Sequence, residues 1–192
     1  LYDTPLYYWT FYLLNDNIRQ QGWPLTNIEF QNYIKKIFPN TTVTTRENIT
    51  TKFKVGQTIT GNTSGVSGKI IRRNADLGQI IVEGKPSFRI SGETFTSTNA
   101  SGTLESIIAV SSSDEHKAAN YYTDTTGICD LGIDSDITSP TYGGHLPPGA
   151  LKNEITNEQA YYNVNESLRQ IRVIRPNIIN NVVSGYKKAI RE

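Results

Sequence analysis

The side chains of this sequence that could bind a metal or transfer a proton are concentrated in one polar segment. Its histidines, His116 and His145, do not have the spacing of a zinc motif. Asp130, Asp134 and Asp136 follow one another closely, but their order lacks the glycine and the distal glutamate of a calcium-binding loop. The sequence therefore predicts neither a metal site nor a bound cofactor.

The possible nucleophile and the possible pair of catalytic carboxylates are also isolated. Cys129 is the only cysteine and has no histidine near it in sequence, which is more typical of a packed thiol than of a nucleophile. Asp114 and Glu115 are adjacent, but their polar surroundings offer no apolar pocket that would separate their pKa values. Motifs for nucleotide binding and for serine hydrolysis are absent from the sequence. We therefore expect that the protein is not an enzyme.

The distribution of charge and hydropathy limits the classes of partner. The net charge of +1 does not supply the dense basic footprint that nucleic acid binding requires. Residues 113–150 are acidic and residues 167–192 are basic, which is typical of a solvated surface but could also orient partners during assembly. No stretch approaches the length of a transmembrane helix. We expect neither a nucleic acid nor a membrane partner.

The N-terminal segment has a high density of aromatic residues. Pro5 suits the first turn of a helix, and Tyr2, Leu6, Trp9 and Leu13 recur at helical spacing. This spacing predicts one apolar face in the core of the domain, with the helix ending at Asn15-Asp16-Asn17. The remaining aromatic residues fall on other faces of the same helix: Tyr7, Tyr8, Phe11 and Tyr12. We expect a neighbouring subunit to cover Tyr8, Phe11 or Tyr12.

A second helix is predicted from “GWPLTNIEFQNYIKKIF”, and it completes a helical segment over residues 1–40. Thr26 or Asn27 is the predicted N-cap, and Pro39-Asn40 marks the end. The helical spacing predicts four inward-facing side chains: Ile28, Tyr33, Ile34 and Phe38.

Residues 41–112 are rich in threonine, serine and glycine and contain a weak internal repeat. “FKVGQTITGNTSGVSGKI”, which starts at Phe53, is echoed by “FRISGETFTSTNASGTLESI”, which starts at Phe88. In this alignment Gly56-x-Thr58 matches Gly92-x-Thr94. Short alternating runs between glycine turns are typical of strands. The repeat predicts a small all-β module, a sandwich or an open barrel, inserted between the helices and the C-terminal region.

The last two segments differ in their regularity. Residues 113–150 are predicted to be an extended loop region, and a loop of that length is usually functional or ordered by a partner. In residues 151–192, alternation over Leu168–Ile174 predicts a half-exposed strand. Pro176 then opens a predicted amphipathic helix.

Two blocks of this sequence resemble a known family. “LYDTPLYYWTFYLLNDN” followed by “GW” resembles the helix–turn–helix part of a LysM-like unit, in the form found in baseplate wedge proteins of contractile-tailed bacteriophages of the T-even type. “ITNEQAYYNVNESLRQIRVIRPNIINNVV” resembles a second block of those proteins, and “NYYTDTTG” resembles the segment before it. The first strand and leading helix of such a unit are missing here, so we expect the true N-terminus to lie upstream. Residues 41–112 have no counterpart in the T-even proteins and resemble Gly/Thr-rich repeats of marine phage structural proteins.

The resemblance implies an α+β fold, with a LysM-like helical unit, the inserted module, and a C-terminal strand and helix. It also implies a structural role: such proteins join neighbouring wedges into the baseplate ring of the virion and contact other wedge and sheath-end proteins, after assembly in the host cytoplasm. The residues predicted to lie at these interfaces are Tyr8, Phe11, Tyr12, Trp23, Arg169 and Arg172. The alternative is a LysM-type module that binds peptidoglycan or another glycan. We disfavour glycan binding, because sugar-binding LysM units are normally secreted and repeated.

Overall fold

The computed structural model describes residues 4–191, which divide into two compact units. The first, here called the helical unit, runs up to Glu29 and resumes at Tyr162. The second, the β-rich unit, is Phe30–Tyr161. Helices and strands are both abundant, so the chain is an α+β protein, as the sequence predicts.

The helices of the described residues are α1 Trp9–Leu14, α2 Asp16–Gln21, α3 Asn27–Ile37, α4 Asn157–Leu168 and α5 Ile179–Arg191. Helix α3 begins with a capping box that confirms Thr26 as the N-cap. The Thr26 hydroxyl accepts the N–H of Glu29 (3.4 Å), and the Glu29 carboxylate accepts the N–H of Thr26 (3.0 Å). The helix ends at Ile37, before Pro39, as predicted.

The N-terminal helix stops at Asn15, as the sequence predicts, but a second helix starts directly after it. The Asn15 amide donates to the carbonyls of Phe11 (2.8 Å) and Arg172 (2.9 Å), and its oxygen accepts the N–H of Arg172 (2.7 Å). Asn15 itself lies outside the helical region of backbone conformation. Helix α1 therefore ends after Leu14, and α2 starts at Asp16, where an acidic side chain favours a helix N-terminus.

The predicted core face of this N-terminal helix is not buried. Leu6 is 73% exposed and Leu13 is 51% exposed. Trp9 is half-buried and stacks on Tyr186, with ring centroids 5.0 Å apart. Tyr2 lies outside the described residues. The prediction was wrong for Leu6 and Leu13 because α1 has only six residues, and spacing counted over a longer helix does not apply to it.

The prediction of which side chains of α3 face inward is correct for only two of the four residues. Ile34 is buried and Phe38 is half-buried, whereas Ile28 and Tyr33 are exposed. Phe30 is buried instead, one turn before Ile34. Because residues four apart share a helix face, Phe30 and Ile34 define the buried side, and the face predicted through Ile28 was wrong.

The first sheet of the β-rich unit is a closed antiparallel barrel. Its strands are β1 Thr41–Thr45, β2 Thr58–Gly61, β3 Ser67–Asn74, β4 Gln79–Val82, β5 Thr94–Thr98 and β6 Leu104–Asp114. Their order around the barrel is β1-β4-β3-β2-β5-β6, and β6 pairs with β1 to close it.

This closure differs from the sandwich or open barrel that the sequence predicts. Strand β6 is long enough to pair first with β5, through Leu104–Ile108, and then with β1. A register shift between Thr44 and Thr45 accompanies the change of partner. Inward-facing side chains such as Val43, Ile59 and Phe95 fill the interior of the barrel. Because the barrel is closed, its strands leave no edge open to further strand pairing.

One carboxylate is completely buried in the barrel wall. Glu93 is 0% exposed, and its oxygens accept the N–H groups of Ser64 (2.6 Å), Thr63 (3.1 Å) and Arg89 (2.7 Å). Burial acts to raise the pKa of Glu93, but the donors outweigh it and hold the pKa below its ordinary value. A Cβ atom at Gly61 would collide with the same carboxylate, so glycine is needed there.

Residues 113–150 are more ordered than the extended loop that the sequence predicts. Strand β6 continues to Asp114, and a second sheet of order β8-β7-β9 follows. Its strands are β7 Ala119–Asp124, β8 Gly127–Cys129 and β9 Asn153–Thr156. The prediction missed this sheet because β7 obtains its main partner, β9, from beyond the loop.

The predicted strand over Leu168–Ile174 was wrong. Helix α4 extends to Leu168, and residues 169–175 form no strand. The N–H and C=O of Arg172 bond to the side chain of Asn15, so a side chain takes the place of a neighbouring strand. Pro176 begins a turn, and α5 starts at Ile179, slightly later than predicted.

Candidate functional site

Four of the predicted interface residues form one aromatic cluster in the helical unit. The Trp23 indole N–H donates to the Tyr12 hydroxyl (3.0 Å), and its ring meets Phe11 and Tyr12 edge to face at 5.9 and 6.1 Å. Tyr8 contacts Tyr12 in the same manner at 6.4 Å. Phe11 and Tyr12 are half-buried, whereas Tyr8 is 65% exposed. The cluster is therefore partly packed within the chain and partly open.

Further apolar side chains of the same region are exposed. We call the following residues the exposed apolar set: Leu6, Tyr8, Leu13, Leu14 and Trp23. Single exposed apolar residues are common on soluble proteins, whereas exposed apolar residues that gather with aromatic ones in one region can mark a docking surface. Tyrosine and tryptophan are also enriched at the energetic centres of interfaces. The set is the strongest candidate for an interaction site.

The two predicted interface arginines lie beyond α4 in irregular backbone. Arg169 pairs with Glu166 (2.8 Å) and donates to the carbonyl of Leu25 (3.2 Å). Arg172 is exposed and has its backbone fixed by Asn15. Because this segment is not a strand, the two arginines do not form the alternating basic row that the sequence predicts.

Asn165 is a structural residue that sequence reasoning missed. It is buried in α4, its side-chain oxygen accepts the N–H of Leu25 (2.7 Å), and its amide donates to the carbonyl of Leu25 (3.1 Å). Asn15 holds Arg172 in the same two-way manner. A buried asparagine on a helix face is the available sequence signal, but its distant partner cannot be identified from spacing.

Replacing Asn165 with alanine should lower the local stability of the helical unit by about 2 kcal/mol, because the N–H of Leu25 loses its partner and its C=O keeps only the bond from Arg169. Faster hydrogen exchange at the Leu25 amide would report the loss. Asn163→Ala is the matched control, since Asn163 lies on the exposed side of the same helix. Equal exchange rates in the two variants would contradict the assignment.

A cleft of about 300 Å³ in the β-rich unit is lined by two titratable groups with raised pKa values, Tyr122 and Glu154. Burial raises the pKa of Tyr122; Glu154 adds to this effect and Arg46 opposes it. Burial also raises the pKa of the Glu154 carboxyl. Within residues 4–191, no hydrogen bond joins the Tyr122 hydroxyl to Glu154 or to His145, which also lines the cleft. The cleft could hold a small polar molecule, but it has no assembled proton relay.

The other residues considered for chemistry have structural partners. Asp134 accepts hydrogen bonds from Ser139, Thr141 and the N–H of Asp136, which hold its pKa below the ordinary value. Cys129 is half-buried in β8. Among the residues that the structure describes, no group of three or more histidine, cysteine or carboxylate side chains could hold a metal ion.

The Glu115 carboxylate has polar partners, as the sequence predicts, but it is not exposed to solvent. Its side chain is buried and forms an ion pair with Arg72. The same carboxylate accepts the backbone N–H (3.2 Å) and the side-chain amide (2.9 Å) of Asn40. Glu115 therefore links the start of β1 to the end of β6.

Comparison with known proteins gave no identification. No protein family, curated protein or solved structure matches this chain. Within residues 4–191, no helix is both long enough and apolar enough to cross a membrane.

Proposed function

We propose that this chain is a non-enzymatic structural subunit of a phage tail baseplate wedge. It would join neighbouring wedges and wedge subunits into the ring, in multiple copies, within the virion. Its partners would be other wedge proteins and proteins of the sheath end. The sequence resemblance supplies the family of this proposal, and the helical unit supplies the surface.

The observation that carries the proposal is the exposed apolar set. Tyr8 is 65% exposed and Leu13 is 51% exposed, and both belong to the block that resembles wedge proteins. Assembly interfaces bury large apolar areas, and their central aromatic residues provide much of the binding energy. An isolated chain gains nothing from exposing these side chains to water, whereas an assembled chain would bury them.

The double variant Tyr8→Ser/Leu13→Ser should weaken incorporation into the assembly by about 30-fold, because removing central interface contacts costs about 2 kcal/mol. Folding should be unchanged, since both side chains are already exposed. The measurement is the fraction of chain that co-sediments with baseplate intermediates, after co-expression with the tail proteins encoded beside it.

The matched control is Ile128→Ser/Tyr142→Ser, which removes equally exposed side chains from the β-rich unit. We expect this control to assemble like the unmodified chain. Equal incorporation of both double variants would contradict the proposal that the exposed apolar set is the interface.

A further inference from the structure

The cleft of about 300 Å³ in the β-rich unit is lined by residues of both its sheets and of the loop before β9. Small-molecule sites typically have volumes of about 300–1,000 Å³, so this cleft suits a small ligand. Its lining combines apolar walls with three polar side chains that could contact such a ligand: Tyr122, Arg46 and Glu154.

The hydroxyl of Tyr122 is the innermost of these polar groups. Tyr122 is 7% exposed, and within the described residues its hydroxyl has no hydrogen-bond partner. The oxygen keeps access to the cleft, in contrast to the sealed Nδ1 atom of His145. Burial raises the pKa of Tyr122, so the hydroxyl keeps its proton at neutral pH and can donate a hydrogen bond. Because buried tyrosine hydroxyls normally have a partner, a ligand in the cleft is the expected acceptor.

The guanidinium of Arg46 is the second polar group. Arg46 directly follows β1 and is half-buried, and its positive charge acts to lower the pKa of Tyr122. Among the described residues the guanidinium has neither an ion pair nor a hydrogen bond. Its N–H donors form a planar fork that matches a carboxylate. Lys117 also lines the cleft but is exposed to solvent. Arg46 and the Tyr122 hydroxyl together therefore suit the carboxylate of a ligand.

The carboxylate of Glu154 is the third polar group. Glu154 in β9 is the direct cross-strand partner of Tyr122 in β7, so the two side chains lie on the same face of the sheet. Its negative charge adds to the raised pKa of Tyr122. Within residues 4–191, no ion pair joins Glu154 to Arg46, and its carboxylate accepts no hydrogen bond. It can therefore accept from a donor nitrogen of a ligand.

The apolar walls are held in place by hydrogen bonds of their own. The Nε2 atom of His145 donates to the carbonyl of Ala75 (2.7 Å), at the start of the turn that carries Leu77. The N–H of Leu146 donates to the carbonyl of Gly132 (2.8 Å). Such a preformed wall lowers the entropic cost of binding an apolar group. The apolar lining consists of Leu77, Val110, Leu131, Leu146 and Pro148.

The charges of the cleft narrow the class of ligand. A simple anion would leave the Glu154 carboxylate without a partner, and a simple cation would leave the Arg46 guanidinium without one. A ligand without charge would satisfy neither group fully. A ligand that carries a carboxylate, a donor nitrogen and an apolar group matches all parts of the lining.

We propose that this cleft binds an apolar α-amino acid, whose carboxylate bonds to Arg46 and the Tyr122 hydroxyl and whose nitrogen donates to Glu154. The side chain of the amino acid lies against the leucine residues of the wall. A free amino acid and the last residue of a peptide share this chemistry, and the test separates them. The site lies entirely in the β-rich unit, so it does not depend on the assembly function proposed for the helical unit.

The test uses the isotope-labelled full chain and follows amide NMR shifts during titration with L-leucine and with glycyl-L-leucine. We expect saturable shifts confined to residues of the cleft, with a dissociation constant of about 1 mM, as is typical of a ligand of this size. L-leucinamide lacks the carboxylate, and 4-methylpentanoate lacks the nitrogen. Each should bind about tenfold more weakly than L-leucine, because each loses one charge-assisted contact.

Three variants test the assigned contacts. Arg46→Met should weaken L-leucine binding about tenfold, and Tyr122→Phe about fivefold. Glu154→Gln should weaken L-leucine binding about tenfold and leave 4-methylpentanoate binding unchanged. Arg89→Met is the matched control, because it removes an exposed arginine side chain outside the cleft and leaves the backbone N–H that binds Glu93. It should bind like the unmodified chain.

Binding of L-leucine alone supports the proposal and assigns the cleft to a free amino acid. Binding of glycyl-L-leucine supports it and assigns the cleft to the C-terminal residue of a peptide. The proposal is overturned if neither compound shifts cleft residues, or if the shifts map elsewhere. It is also overturned if L-leucinamide or 4-methylpentanoate binds as tightly as L-leucine, or if Arg46→Met and Tyr122→Phe bind normally with folded spectra.

Discussion

Replacing Glu93 with alanine is expected to lower the free energy of unfolding by about 4 kcal/mol, because three N–H groups lose a buried, charged acceptor at once. The N–H groups of Thr63 and Ser64 lie in the loop after β2, in the first repeat, and Arg89 lies at the start of the second repeat, so the change should loosen both segments. Urea-induced unfolding followed by circular dichroism and by hydrogen exchange at barrel amides measures the effect, because Trp9 and Trp23 both lie in the helical unit and do not report on the barrel.

The matched control is Glu83→Ala, which removes an exposed glutamate that follows β4 in the same barrel. This variant should change the unfolding free energy by less than about 0.5 kcal/mol, as surface substitutions usually do. Similar losses in the two variants would show that the three hydrogen bonds to the Glu93 carboxylate do not stabilise the fold.

The same hydrogen bonds predict that the free energy of unfolding depends on pH, and they fix the direction of that dependence. The pKa of Glu93 is held below its ordinary value of 4.5 in the folded protein. The unfolded state therefore binds the proton more readily, so the stabilisation is fully present above the unfolded pKa and is lost as the pH falls through the folded pKa. Glu93→Gln removes this titration, and its stability should fall less steeply below pH 4.5 than that of the unmodified chain. If the stability of the two proteins fell with pH in parallel, the lowered pKa of Glu93 would be contradicted.

Replacing Gly78 with alanine is the second change with a large expected effect. Gly78 has a left-handed backbone (φ +61°), and an added Cβ would collide with the carbonyl of Thr45. The carbonyl of Gly78 accepts the N–H of Thr45 (2.8 Å), so neither backbone segment can move without breaking this bond. We expect a loss of about 3 kcal/mol, from backbone strain plus the collision.

Gly84→Ala separates these two contributions. Gly84 is also left-handed (φ +73°), but nothing lies within 4 Å of the added Cβ. It should cost only the backbone strain, about 1 kcal/mol. Thermal unfolding of both variants measures the difference, and equal midpoints would show that the close approach to Thr45 has no energetic consequence.

Local signals in the sequence predicted much of the secondary structure. The cap at Thr26 needs only a glutamate three residues later, and the repeat with Thr58 and Thr94 marks two strands that do pair with each other. These features depend on neighbouring residues or on a copy of the same pattern. Such information is contained in a single sequence.

Features that depend on distant partners could not be predicted. The alternation over Leu168–Ile174 suggested a strand, but Asn15 pairs with its backbone instead. Strand β7 forms its sheet with β9, which is distant in sequence. The Glu93 carboxylate binds N–H groups of Ser64 and Arg89, which the repeat pattern alone does not bring together. In the candidate interface, the sequence identified Tyr8 and Trp23 but could not show that they share one aromatic cluster.

We propose that the exposed apolar set is buried when the chain joins a phage tail baseplate. A cryo-EM reconstruction of baseplates assembled with this chain tests it most directly. We expect the chain to lie in the wedge ring, with a neighbouring subunit covering Tyr8 and Leu13, which are exposed in the isolated chain. A baseplate that lacks the chain, or one in which both side chains face solvent, would contradict it.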